Sequence, residues 1–200
     1  MFIWSAIAHL VAVTSPGPDT ALIIRQVARK GRLSGYYAAL GIGVGVFIHS
    51  VFASSGISLL ILSNSNFKFI LSLVGALYLI YLGISSFLST KASTNNTYDI
   101  HDKSSFLKGL LTNIFNIKAL IFFVSLFTII TDSLNGIYLL IYPIYFGAMT
   151  TLWFCFLSYI LTTPKLNNSF TKNNKLIENL SASFLIIIGL FIIYNITYVN

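Results

Sequence analysis

The stretch MFIWSAIAHLVAVTSPGPDTALIIR, residues 1–25, is long and apolar enough to cross a membrane, yet Ser15-Pro16-Gly17-Pro18-Asp19 interrupts it. A proline removes one backbone donor and clashes with the preceding turn, so Pro16 and Pro18 together unwind the helix locally, with Gly17 supplying permissive backbone. In lipid, the freed carbonyls and amides need protein or water partners, since each unsatisfied group costs several kcal/mol. The break must therefore face the interior of a helix bundle. Asp19 stands where a resumed helix would start, a position that favours a carboxylate. Two readings follow: an ordinary kink with a capped restart, or an unwound substrate or proton site, because ionisable residues at membrane depth mark pathways.

The rest of the chain agrees with a membrane setting. Of its 200 residues 56% are hydrophobic and 8% charged, with a mean hydropathy of +0.84, against roughly 25% charged in soluble domains. Apolar runs cover about residues 2–24, 36–62, 67–88, 106–130, 137–161 and 180–199. The fold class read from this pattern is an all-α integral membrane protein of six transmembrane helices, with no room for a soluble catalytic domain. The single cysteine, Cys155, excludes an intrachain disulfide and a cysteine-rich metal site. No basic n-region or cleavage site opens the chain, so the first run is read as part of the mature protein.

The net charge of +7 is divided among loops. Arg25, Arg29, Lys30, Arg32, Lys91, Lys103, Lys108, Lys165, Lys172 and Lys175 follow the first, third and fifth runs, whereas the opposite side carries only Lys68. The positive-inside rule places those basic loops in the cytoplasm of an inner-membrane protein with both termini outside. Without aromatic interleaving, the basic residues give no reason to expect nucleic acid as a partner. The polar run at residues 89–105, read as a cytoplasmic linker, separates a first three-helix repeat, 1–88, from a second, 106–200. Three spans are an odd number, so the halves lie in opposite orientations, as in inverted-repeat transporters whose broken helices mark the binding site. The second polar break, TNIFNIK at Thr112 to Lys118, falls in the first helix of the second half, matching the first break.

Lys118 sits near the middle of the fourth run, where a lysine costs about 2.5–3.5 kcal/mol, and needs a partner. Asp19 is the only acidic residue within a predicted span, because Asp99, Asp102, Asp132 and Glu178 fall in connections or at span ends. An Asp19–Lys118 pair, direct or through water, is therefore expected where the two breaks meet. Asn113 and Asn116 offer amides to the same cavity, or bond between helices. Gly41, Gly45 and His49 recur every fourth residue on the second run, with Gly43 to the side. The small residues suit close helix packing, within one chain or in a homo-oligomer, and His49 suits a proton relay or a hydrogen-bonded core position. His9 and His101 form no metal-binding spacing, and no nucleophile elbow or phosphate-cradling loop is present, so neither an enzyme nor a cofactor is expected.

SPGPDTALIIRQVARKGRLSGYYAALGIGVGVFIHS (Ser15 to Ser50), GALYLIYLG (Gly75 to Gly83) and FLKGLLTNIFNIKALIFF (Phe106 to Phe123) resemble the LysE/RhtB family of amino-acid exporters. The resemblance implies a six-helix inner-membrane exporter of amino acids or related small metabolites, driven by the proton gradient or the membrane potential. It places the family's Pro-Gly-Pro motif on Pro16, Gly17 and Pro18, followed by Asp19, and its Asn-Pro-Lys motif on Asn116, Ile117 and Lys118. Ile117 replaces the family proline, implying a milder second break that relies on the two asparagines. Thr128 and Ile129 stand where the family usually has Pro-Gln. Alternatives left open are an exporter of another solute, such as an inorganic cation, and a non-transporting membrane partner subunit. A single membrane carboxylate speaks against the first, and the polar breaks against the second.

Overall fold

A computed structural model describes residues 2–56, 64–88, 103–130, 137–163 and 174–198. Lys91, Asp99, His101, Asp102, Asp132, Lys165, Lys172 and most of the linker lie outside the described residues, as do the side chains of Lys68, Thr128, Ile129 and Glu178. Among the described residues the regular structure is all helix, with no strand.

The helices are α1 (Phe2–Thr14), α2 (Pro18–Lys30), α3 (Arg32–Ser54), α4 (Ser65–Leu88), α5 (Lys103–Ile114), α6 (Ile117–Ile130), α7 (Tyr138–Leu161) and α8 (Asn174–Tyr198). Four of them contain continuous stretches long and apolar enough to cross a membrane, Arg32–Ser54, Ser65–Ser85, Leu140–Leu161 and Lys175–Tyr198. The remaining four form two bent pairs, α1 with α2 at 54° and α5 with α6 at 57°. Counting each pair as one crossing gives six spans. Each half of the chain thus runs bent pair, long helix, long helix. The chain is an all-α, multi-pass membrane protein.

The first bend follows from its residues. Pro18 opens α2, where a missing amide costs nothing, and Gly17 caps it in extended backbone with φ −175°. Its carbonyl accepts from Ala21 N–H at 3.0 Å, while Ser15 N–H still bonds back to Val11 at 3.2 Å. Only a few residues leave helical geometry. The second bend lacks a proline, yet it is as sharp as the first. Asn116 supplies the cap, its Oδ1 accepting from the N–H of Lys118 at 3.1 Å and of Ala119 at 3.4 Å. The milder break implied by Ile117 is thus corrected, and the reliance on asparagine holds.

Glycines set how the helices pack. A Cβ on Gly41 would strike the Phe106 carbonyl, and one on Gly109 the Ala38 carbonyl, so α3 and α5 meet backbone to backbone. Gly43 and Gly147 bring α3 equally close to α7, and Gly83 and Gly189 do the same for α4 and α8. Gly41 and Gly45 therefore pack within one chain. Three apolar clusters fill the interior: Ala21 and Leu22 with Leu79, Leu82 and Leu185; Ile23 and Val27 with Ala38, Ala39, Ile42 and Phe154; and Val46 with Phe123, Phe127, Tyr142 and Phe146. Trp4, Ile144, Ile187 and Phe191 stay exposed, as lipid-facing side chains should.

Candidate functional site

The two breaks meet. Around them lies a cavity of about 50 Å³, lined by Ser15, Gly17, Asp19 and Thr20 of the first break and Asn113, Asn116, Lys118 and Ala119 of the second. His9 and Val13 of α1, Val46 of α3, Phe122 and Phe123 of α6, and Thr150 and Phe154 of α7 complete the wall. At roughly 10–15 Å³ per water it holds a few waters.

Each half repairs the other. The bend leaves the Ser15 carbonyl without a helical partner, and Lys118 Nζ donates to it at 3.1 Å and also to Ser15 Oγ. In return Asp19, in the first turn of α2, takes its donors from the second half. Its Oδ2 accepts from Asn113 Nδ2 at 2.8 Å and from Asn116 Nδ2 at 3.0 Å. Asp19 Oδ1 is buried without a partner. Because Asn113 must turn its amide nitrogen toward a carboxylate, its Oδ1 points the other way, against Gly45. Asp19 and Lys118 line one cavity, and the hydrogen bonds of each go to neutral groups and not to the other.

Pro16, Gly17 and Pro18 shape the site without binding through their side chains. A Cβ on Gly17 would lie 3.5 Å from Lys118 Nζ, an ordinary contact, so Gly17 serves the bend through its backbone and not by making room for the ammonium. His49 is not in the cavity wall. Its Nε2 donates to the Asn113 carbonyl at 2.9 Å, holding from α3 the backbone of the residue that holds Asp19. Gly45 makes way for the Asn113 side chain. Gly41 packs one turn away and does not touch the cavity.

The comparisons complete the picture. The family model described as LysE type translocator matches residues 10–196. The chain belongs to that family. Among curated relatives, the threonine efflux protein of Salmonella typhi is 28% identical, with 96% of this chain and 97% of the relative covered. The threonine efflux protein of Escherichia coli K12 is 27% identical over the same shares. An uncharacterized membrane protein of Bacillus subtilis, YrhP, is 29% identical, covering 89% of this chain and 91% of its own. No solved structure matches.

In this LysE-type chain, three cavity residues went unread in the sequence. Ser15 stands in the quoted motif but declares no partner until Lys118 is seen beside it. His9 reaches Thr150, with Nε2 3.0 Å from Thr150 Oγ1, and its Nδ1 is buried without a partner. The signal for His9 was its depth, ten residues before Asp19 on the same run. Thr150 carried none. Among the described residues no cluster of His, Cys, Asp and Glu could hold a metal ion.

Proposed function

We propose that the chain exports an amino acid or a related small metabolite from the cytoplasm by alternating access, driven by the proton gradient or the membrane potential. One observation carries this reading: a carboxylate and an ammonium line one cavity at the meeting of two broken helices, each held by neutral partners and not by the other. A zwitterion offers both complements. Its ammonium goes to Asp19, through the unpartnered Oδ1. Its carboxylate goes to Lys118 and the first amides of α2, where the helix dipole favours an anion. The same oxygen of Asp19 is the place for a coupling proton when substrate is absent, so the two loads alternate. Moving one charge across 100 mV releases about 2.3 kcal/mol, enough for a roughly 50-fold gradient.

The threonine efflux relatives support an amino-acid substrate. The repeated order of bent pair and two long helices supports two inverted repeats, 1–88 and 106–200. So does the pairing of matching helices, α3 with α7 and α4 with α8, through close glycine contacts, as expected beside a two-fold axis. The basic loops support an inner-membrane orientation with both termini outside. The test is efflux from vesicles holding the purified protein and a mixture of amino acids. Export of at least one amino acid under an imposed gradient supports the reading, and retention of all of them refutes it.

A further inference from the structure

Gln26, Ser34 and Ser105 are buried to within 3% of full enclosure and are linked to one another through neutral side-chain groups. Ser34 and Ser105 hydroxyls lie 2.6 Å apart, so one donates to the other and the second donates to Gln26 Oε1, which lies 3.2 and 3.3 Å from the two. The three residues come from α2, α3 and α5. Gln26 stands seven residues after Asp19 on α2, and Ser105 eight before Asn113 on α5, so the cluster lies about 10–12 Å from the cavity. That displacement runs toward the basic-loop ends of the helices, while the cavity wall extends the other way, along α1 and α6. Leu22, Ile23, Ala38 and Gly109 fill the space between. The space between Asp19 and the basic-loop ends is thus filled, and the polar cluster lies on its basic side.

We infer that Gln26, Ser34 and Ser105 form an inner latch, and that α2 moves away from α3 and α5, together with α4 and α8, when it opens. The inference rests on the exporter reading for its direction. The packing decides which helices travel together. α3, α5 and α7 are joined by the backbone contacts at Gly41, Gly109, Gly43 and Gly147, and α4 and α8 by those at Gly83 and Gly189. α2 lies between these two bodies. Toward α4 and α8 it offers Ala21 and Leu22 to an apolar cluster, and Arg25 Nη2 donates to Ser85 Oγ at 3.1 Å. Toward α3 it meets Ala38 and Ala39 through Ile23 and Val27, with Val27 seated on Gly35 and Gly31 the single residue joining the two helices, so the parting is a swing about Gly31 and not a slide. The same boundary passes between Asp19 and its two asparagines. Opening the latch would therefore loosen the grip on Asp19, and the moving bodies would each mix helices of both halves.

Two cysteine pairs in a Cys155→Ser background separate this from other motions. Gln26→Cys with Ser105→Cys spans the proposed boundary, and Ser34→Cys with Ser105→Cys stays within one body. Each is bridged in vesicles by a short bis-methanethiosulfonate reagent and released with dithiothreitol. Bridging the first pair should stop efflux until reduction, and bridging the second should leave efflux at the rate of its unbridged variant. Efflux surviving the first bridge, or stopped by the second, overturns the inference. A readout independent of substrate uses Thr20→Cys, labelled by a membrane-impermeant maleimide from the basic-loop face. Ser105→Ala should raise its labelling rate, by about fivefold for each hydrogen bond removed, and an unchanged rate overturns the latch. If labelling behaves as expected but no amino acid is exported by the unmodified chain, the exporter reading falls and the latch stands.

Discussion

Gly45→Ala should damage the site from behind. A Cβ at this position would lie 2.6 Å from Asn113 Oδ1 and 2.9 Å from Asn113 Cβ, inside any tolerable contact. α3 is fixed against α7 by Gly43 and Gly147, so Asn113 must give way. Its hydrogen bond to Asp19, 2.8 Å long, is then lost or bent. A hydrogen bond to a charged group is worth about 1.5–3 kcal/mol, which predicts a weakening of substrate binding of about 10- to 140-fold. Overpacking adds a stability loss of about 1–3 kcal/mol. Efflux at graded internal substrate concentrations, with thermal unfolding in detergent, reads both. Gly43→Ala is the control, because its Cβ would meet Thr151 and the Gly147 carbonyl away from the cavity. It should lose stability and keep its apparent affinity. Adding Asn113→Gly to Gly45→Ala removes every Asn113 side-chain atom from the clash and should recover the overpacking part of the loss, less about 1 kcal/mol for a glycine within a helix, without restoring affinity. If Gly45→Ala unfolds at a lower temperature but binds substrate as tightly as Gly43→Ala, Asn113 does not hold Asp19 for substrate.

Asp19→Asn should abolish the pH dependence of efflux along with most of its rate; full-rate export with an unaltered pH profile would remove Asp19 as proton carrier. Changes at Asp19 and Lys118 should couple in a double-mutant cycle on efflux, with either single loss worse than the double, and additive losses would show that the charges act on different steps. Asn116→Ala removes the cap of α6 and one bond to Asp19, so unfolding should come earlier, by about 0.5–2 kcal/mol from the cap alone, whereas an unchanged melting temperature would deny the cap. His9→Leu removes a buried unpartnered nitrogen but also strands the buried Thr150 hydroxyl that Nε2 now meets, two opposed costs of about 1–3 kcal/mol each, so stability should change little while the ranking of exported amino acids changes; an unaltered ranking would leave His9 as wall alone.

The sequence made the breaks legible because proline and an ionisable residue are costly at membrane depth and have few innocent uses there. Proline chemistry also set the start of α2, as the extended cap at Gly17 bears out. The second break was harder. Ile117 hid its sharpness, because an asparagine side chain that caps two amides leaves no trace in hydropathy. Partner choice was harder still. Counting charges at depth brought Asp19 and Lys118 together, but the count could not say that two asparagines and a serine would take their hydrogen bonds. His49 shows the limit of a stripe: the spacing put it on the face toward α5, and only the structure distinguishes a proton path from a bond to the Asn113 carbonyl. Ser34 of α3 meets Ser105 of α5, and both were passed over, since a serine in a polar connection beside an apolar run is too common to flag.

The separate partners of Asp19 and Lys118 bear on what the cavity can bind. Two opposite charges about 4 Å apart attract by about 4 kcal/mol at an effective dielectric constant of 20. Had they paired directly, an incoming zwitterion would have had to break that pair first, at a cost near a thousandfold in affinity. Neutral holders avoid the competition. The asparagine amides steady Asp19 without cancelling its charge, and the Ser15 carbonyl and hydroxyl do the same for Lys118. An inorganic cation would satisfy only the carboxylate and would meet the lysine as a repelling neighbour. A molecule with both charges satisfies each end and leaves the net charge of the site, zero for Asp19 with Lys118, unchanged. On the proposed alternating-access reading, the substrate would then pass without net charge from the site itself, and any charge moved per cycle would come from a coupling proton or from the substrate's own side chain.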